Sequence, residues 1–202
     1  MYVTKNPNPL KALPSALEEA SVVAKSFGRR VPVKLILISS QSSRVDRNSA
    51  ASSVIGAAGG AAIIHIAAHG IFDTNNPMAS AIFLSSSNNG VLRPSDFVSV
   101  DLSKTSIVSL SACDTGQSEI RKGGEAIGFV RGILLAGAQR VLLTQWKVED
   151  RSASEFFRDF YTQLGDKRDI IRAYQSAILQ ATHGYAHPFY WAGFVLYSGV
   201  PK

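Results

Sequence analysis

Apolar runs bounded by polar, glycine-containing segments alternate along this chain with stretches in which apolar residues recur at helical spacing. The clearest runs are residues 61–70 and 106–113, whose length and flanking turn residues are typical of buried strands. The predicted strands are residues 33–38, 61–70, 106–113, 140–144 and 189–197, and the predicted helices are residues 13–24, 54–58, 125–138, 152–164 and 169–182. Strands that alternate with helices predict an α/β fold with a mostly parallel central sheet and helices on both faces.

Three shorter features refine this outline. Residues 79–84 and the turn at 85–90 predict a small hairpin arm, and the Ser/Arg/Asn-rich stretch 39–53 predicts a loop. Gly124, Gly128 and Gly132 stand four residues apart on one stripe of the predicted helix 125–138. Such a stripe permits close backbone approach, here expected to be to the sheet.

Length and composition indicate one domain. The chain has 202 residues of which 46% are hydrophobic, enough for a sizeable core. The polar, proline-bearing residues 1–9 are interpreted as a tail or linker, and residues 10–202 as the domain. No segment has the form of a signal peptide, and the longest apolar stretch, 126–138, is shorter than the roughly 20 residues that span a membrane. A single cysteine fits a reducing interior, so a cytoplasmic location without membrane attachment is expected.

A net charge of +6 raises the question of a nucleic-acid partner. The basic residues are scattered in small groups, however, and no aromatic residues interleave with them as in a single-strand binding platform. A solvated basic surface is the preferred interpretation, and no nucleic acid is expected as a partner.

Two chemically reactive side chains close the two clearest strands. His69 is followed by Gly70, and Cys113 is followed by the polar segment 114–117. Chemistry in open α/β sheets gathers at the carboxyl ends of parallel strands, so these residues can meet although 44 positions separate them. An imidazole that holds a thiol as thiolate, and later protonates a leaving amine, forms a catalytic dyad.

Six motifs in one order make the chain resemble the CHAT domain, a caspase-like family related to separase. They are HIAAHG at 65–70, LSACDTG at 110–116, GGE at 123–125, AGA at 136–138, QWKVED at 145–150 and HPFYWAGFVL at 187–196. The resemblance implies a caspase-like three-layer sandwich that works as a cysteine endopeptidase, with His69 and Cys113 as its dyad. It also implies a protein or peptide substrate and control by other domains or an activator protein.

The same resemblance suggests roles for residues around the dyad. The backbone N–H groups of Gly70 and Cys113 are the expected oxyanion donors, although Gly70 can equally serve only to make a turn. Trp146 and Asp150 match a pattern at the rim of the substrate pocket, where Asp150 would select a basic residue. Asp150 is equally suited to cap the helix that follows, and Lys147 stands where separases carry an acid.

Other interpretations stay open at this point. A lone buried cysteine is often an inert apolar residue, so the chain could be a catalytically silent module that binds a partner peptide. His65 and His69 are four residues apart on a predicted strand, about 13 Å, so one metal ion cannot join them. His65 is expected to be a supporting histidine beneath the site, and no metal or other cofactor is expected.

Overall fold

The computed structural model describes residues 14–27, 50–73, 75–84, 90–114, 127–167 and 169–199. The helices in these segments are α1 (Pro14–Phe27), α2 (Ala50–Ala58), α3 (Ile127–Leu135), α4 (Asp150–Lys167) and α5 (Ile170–Gly184). The strands are β1 (Ile63–Ile71), β2 (Ala81–Phe83), β3 (Val91–Leu92), β4 (Ile107–Asp114), β5 (Arg140–Thr144) and β6 (Phe194–Ser198). Mixed α/β content is thereby confirmed.

The strands form one open sheet in the order β3-β2-β1-β4-β5-β6. The central strands β1, β4 and β5 are parallel, whereas β2, β3 and β6 pair antiparallel with their neighbours. The central strands are thus parallel, as the sequence predicts, and the small hairpin and β6 add antiparallel strands on either side of them. Two helices, α4 and α5, connect β5 to β6 and bring the chain back to the carboxyl end of β5. β6 therefore runs antiparallel to β5.

The sheet is covered on both faces because its central strands are apolar on both. In β1, Ile64 and Ile66 belong to an apolar cluster that includes buried residues of α2 and α3, while Ile63 packs against a second cluster on the opposite face. Residues of α1, α4 and α5 build that second cluster, which is rich in phenylalanine. Successive side chains of a strand point to opposite faces, so one strand contributes to both clusters.

Two predicted boundaries are wrong for identifiable reasons. The last strand begins at Phe194 rather than 189, since residues Pro188–Tyr190 form a 3₁₀ turn with proline in its first position. The helix predicted to reach residue 138 ends at Leu135, because Gly137 adopts a φ of +106°. The amides of Gly137 and Ala138 donate to the carbonyls of Leu134 and Ile133, which closes the helix with a Schellman motif.

The glycine stripe of α3 does permit close packing, but its neighbour is not the sheet. A Cβ at Gly128 would lie 2.0 Å from the carbonyl oxygen of Pro77, and one at Gly132 would lie 2.6 Å from that of Pro94. Both carbonyls belong to 3₁₀ turns, Pro77–Ala79 and Pro94–Ser99, which flank the small β2–β3 hairpin. The hairpin itself is confirmed, and α3 packs against the backbone on either side of it.

Several expectations fall on residues outside those described, namely the tail 1–9, the strand 33–38 and Gly124. The loop expected at 39–53 is only partly testable, and it is wrong at its end because α2 begins at Ala50. Among the helices that the structure describes, none is long and apolar enough to cross a membrane.

Candidate active site

His69 and Cys113 occupy paired positions at the carboxyl ends of two neighbouring parallel strands. The register of β1 and β4 pairs the Cα atoms of His69 and Cys113 directly. Neighbouring strands lie about 4.8 Å apart, so the two backbone positions are adjacent. The His69 side chain is half-buried, and Cys113 is described through its backbone. The expected meeting of the two strand ends is thus present in the backbone.

Gly70 lies inside the sheet rather than in a turn. It pairs with Asp114 of β4 on one side and with Ile82 of β2 on the other. A Cβ at this position would stand 3.2 Å from the Cβ of Ala112, tighter than most real contacts. Close packing against Ala112, on the face of the sheet opposite His69, is therefore one reason for glycine at position 70.

Trp146 follows β5 and is held by the segment that leads into β6. Its indole Nε1 donates to the carbonyl oxygen of Phe189 at 2.9 Å, and the two rings stack with centroids 6.4 Å apart. A Cβ at Gly193 would lie 2.8 Å from the indole, so the ring lies directly over this glycine. Trp146 is therefore fixed in place by its hydrogen bond and by the residues packed on its ring.

Asp150 is the first residue of α4 and is half-buried. A carboxylate in the first turn complements the positive end of the helix dipole. The residue before it, Glu149, accepts hydrogen bonds at its backbone carbonyl from Ala153 N at 3.0 Å and Ser152 Oγ at 3.0 Å. Asp150 therefore stands one position inside the helix rather than at the expected cap.

A hydrogen-bonded cluster between α4 and the end of α5 ties the Trp146 side of the site to the helices. Tyr185 Oη donates to Glu155 Oε2 at 2.8 Å, and Arg151 Nε donates to Glu155 Oε1 at 3.0 Å. These two donors hold the pKa of Glu155 below its usual 4.5. Burial together with the Glu155 carboxylate raises the pKa of Tyr185 to about 12. The segment bearing Phe189 is thereby anchored to α4, since Tyr185 also stacks on Tyr190 with ring centroids 5.0 Å apart.

His65 is buried and hydrogen-bonded, as the sequence predicts, and its main partner is a residue that sequence analysis missed. His65 Nε2 lies 3.0 Å from Glu19 Oε2, and the side chains are 5% and 2% exposed. The other oxygen of Glu19 accepts from Ser111 Oγ at 3.3 Å. A signal for Glu19 did exist, because it precedes Val23 and Phe27 by four and eight positions and so lies on the buried stripe of α1.

The second nitrogen of His65 completes this buried arrangement. Tyr161 Oη lies 3.3 Å from His65 Nδ1, and burial raises the pKa of this phenol, which keeps it protonated. Ser109, whose side chain is fully buried on β4, forms no hydrogen bond to any described residue. His65 also packs edge-on against Phe157 at 5.0 Å.

The remaining histidines are peripheral. His187 precedes the 3₁₀ turn and its Nδ1 accepts from Phe189 N at 3.2 Å, while His183 lies near the exposed end of α5. Within the part of the chain that the structure describes, no three His, Cys, Asp or Glu side chains are grouped as metal ligands.

Comparison with known proteins gives a family match over nearly the whole chain and relatives over about half of it. The family model of the CHAT domain matches residues 3–199. A segment of 98 residues is 31% identical to Tetratricopeptide repeat protein 28 of Homo sapiens, and one of 114 residues is 30% identical to the protein of that name from Mus musculus. These segments are 48% and 55% of this chain but only 4% and 5% of the two relatives, so the chain spans a small part of their length.

Proposed function

This chain belongs to the CHAT domain family, and from that membership we propose that it is a cysteine endopeptidase with Cys113 as nucleophile and His69 as general acid and base. The observation that carries the proposal is the register of β1 and β4, which pairs His69 with Cys113 at the carboxyl ends of parallel strands. In open α/β sheets, ligands bind at the carboxyl ends of the parallel strands.

The proposed reaction needs only these two side chains and water. The His69 imidazole takes the thiol proton, and the Cys113 thiolate attacks the carbonyl carbon of the scissile peptide. The resulting tetrahedral intermediate collapses when imidazolium gives its proton to the leaving amine, which departs as the new N-terminus. Water, deprotonated by His69, then attacks the thioester, and the acid product leaves while the thiol regains its proton.

The negative charge that develops on the substrate oxygen requires hydrogen-bond donors. We assign this role to the backbone N–H groups of Gly70 and Cys113, at the same sheet edge. Loss of one such donor costs on the order of 10²–10³ in rate. Since Gly70 also packs tightly against Ala112, its replacement by alanine would disturb both packing and catalysis.

The rim of the site supports a protein or peptide substrate. Phe189 is 37% exposed and stacks beside Trp146, which offers an aromatic surface at the end of β5 and β6. Asp150, close in sequence to Trp146, is proposed to favour a basic residue before the cut. We also propose the three-layer sandwich of the caspases as the complete fold, and control of the site by further domains or a partner, as the repeat-containing names of the relatives suggest.

The test is cleavage of a peptide library by the purified chain, with new N-termini identified by mass spectrometry. Cys113→Ala and His69→Ala should each lose at least 10³-fold in kcat/KM while melting within a few degrees of the wild type, because each acts in the transition state. His183→Ala is the matched control, since this histidine lies on the exposed end of α5, and it should retain activity within about twofold. Hydrolysis by Cys113→Ala at the wild-type rate would refute the assignment.

A catalytically silent module that binds a partner peptide is the second candidate. It is favoured by the relatives, whose name describes repeat proteins rather than an enzyme. The thiol distinguishes the two, because an activated Cys113 reacts with iodoacetamide near pH 6.5 faster than a free thiol whose pKa is about 8.5. Alkylation at the rate of a free thiol, together with no cleavage, would favour the silent module.

A further inference from the structure

A buried carboxylate lies below the two strand ends, on the face of the sheet that α1 covers. Glu19 is 2% exposed, and α1 brings it to β1 and β4. Removing a carboxyl group from water is costly unless its oxygens find hydrogen-bond partners inside the protein. Glu19 meets this condition through two partners, one on each strand.

The two partners belong to the strands that carry the dyad. Glu19 Oε2 is 3.0 Å from His65 Nε2, and His65 precedes His69 by four positions on β1. Glu19 Oε1 accepts from Ser111 Oγ at 3.3 Å, and Ser111 precedes Cys113 by two positions on β4. One carboxylate therefore bridges both strands within a few residues of the paired positions.

The histidine of this bridge has little freedom to move. Its Nδ1 faces Tyr161 Oη at 3.3 Å, and its ring meets the edges of Phe157 and Tyr161 at 5.0 and 5.3 Å. Tyr161 is fully buried in the cluster formed by α4. His65 is thus held between α1 and α4. Because its ring is fixed, the contact with Glu19 can fix how α1 and β1 sit relative to each other.

The depth of α1 is also set by backbone contact. A Cβ at Gly165 of α4 would lie only 2.4 Å from the carbonyl oxygen of Ser26 in α1. Two helices that touch through glycine leave no space for small readjustments. The close crossing of α1 and α4 therefore helps to fix the position of Glu19 on this face of the sheet.

We propose that Glu19 is a positioning residue for the dyad, which bridges His65 and Ser111 and thereby sets how the ends of β1 and β4 place His69 against Cys113. The inference rests on the proposed function for the identity of the site. Stability alone is a weak reason for a buried polar pair here, because apolar residues of similar volume often serve a core equally well or better.

The experiment compares Glu19→Gln with Val23→Ala. Glutamine keeps the shape of the side chain but replaces one of its two oxygens with an amide NH₂ group, so one of the two acceptors is lost. Val23 lies one turn further along the same buried stripe, so its truncation loosens α1 while leaving the carboxylate in place. Both variants are measured for melting temperature, for kcat and KM on a cleaved peptide, and for the iodoacetamide rate of Cys113 across pH 5 to 9. The chain has one cysteine, so alkylation reports on Cys113 alone.

Glu19→Gln should lower kcat about tenfold or more with KM changed less than about twofold, since misplacement of reacting groups by ~1 Å can cost 10²-fold. It should also raise the pH midpoint of alkylation, whereas Val23→Ala should leave both kcat and that midpoint near wild type. Equal effects of the two variants, at equal loss of melting temperature, would overturn the proposal and leave Glu19 as a core residue.

Two provisions keep the outcome decisive. If Glu19→Gln does not fold, Ser111→Ala replaces it, because this variant removes one contact of Glu19 and keeps the pair with His65 intact; it should change kcat and the midpoint in the same direction by a smaller amount. If the wild type cleaves nothing, the proposed function fails separately, and the alkylation profile alone decides. A midpoint that moves in Glu19→Gln but not in Val23→Ala then supports the bridge, and an unmoved midpoint refutes it.

Discussion

Replacement of Gly132 by alanine tests whether α3 packs directly on backbone. Alanine favours a helix interior over glycine by about 1 kcal/mol, so from propensity alone the substitution should stabilise the protein. The structure predicts instead that the substitution lowers the free energy of unfolding. The new Cβ would lie 2.6 Å from the Pro94 carbonyl oxygen, well short of the 3.4 Å at which such contacts become ordinary.

The magnitude follows from what must move. Pro94 begins a 3₁₀ turn whose Phe97 is fully buried, so its carbonyl cannot retreat easily. The helix must withdraw instead, which loosens the contacts of Phe129 and Ile133, both completely buried. Overpacking of this kind costs roughly 1–3 kcal/mol, and steric overlap with backbone belongs at the upper end. After the gain in propensity, we expect a net loss of about 1–2 kcal/mol in the free energy of unfolding.

The assay is urea or thermal unfolding, with Gly56→Ala as the matched control. Gly56 lies inside α2, and a Cβ there would meet nothing within 4 Å. A change of 1 kcal/mol moves the melting temperature of a chain of this size by about 2–4 °C, so Gly132→Ala should melt roughly 3–6 °C lower and Gly56→Ala about 2 °C higher. If Gly132→Ala is as stable as Gly56→Ala, the close approach of α3 to Pro94 is wrong.

Three further predictions concern the helices and the site. Gly165→Ala should push α1 away from α4, because its Cβ would clash with the carbonyl oxygen of Ser26. It should therefore lose part of the kcat that Glu19→Gln loses. A lowered melting temperature with unchanged kcat would show that this helix contact does not position the dyad. Glu155→Gln should destabilise the protein above about pH 5, and the difference from wild type should shrink as the pH falls below 4.5, because a carboxylate whose pKa is lowered in the folded state stabilises only while ionised; a difference constant from pH 3 to 7 would contradict this. Asp150→Ala should reduce cleavage after arginine more than after leucine if Asp150 reads the substrate, and reduce both equally if it only complements the helix dipole.

Much of the fold could be predicted from local patterns. The strand Arg140–Thr144 was predicted with its observed bounds, and the strands of His69 and Cys113 were predicted to within two residues, because continuous apolar runs between turn residues have few alternatives in water. The pairing of His69 with Cys113 was likewise expected, since parallel strands end at a common edge. These features depend on neighbours in sequence and on one general rule of topology.

What the sequence alone could not provide depends on contacts between distant segments. Nothing near Glu19 in the chain indicates that its carboxylate meets Ser111, 92 positions away, or that Tyr161 faces His65. The sequence predicts that the glycines of α3 allow close packing, but the sheet, which it names as their neighbour, is wrong. A missing Cβ shows that another segment comes close but not which one, and here it is the backbone of Pro77 and Pro94.

The sequence by itself determined where the central strands lie, which segments are helical and which two reactive side chains end neighbouring strands. Only the tertiary structure decided that β6 runs antiparallel to β5, that Trp146 lies over Gly193, and that the carboxyl group of Glu19 joins β1 to β4. The physical reason is the range of the interactions: periodicity and turn chemistry act over a few residues, whereas side-chain packing and buried hydrogen bonds depend on elements that only the folded chain brings together.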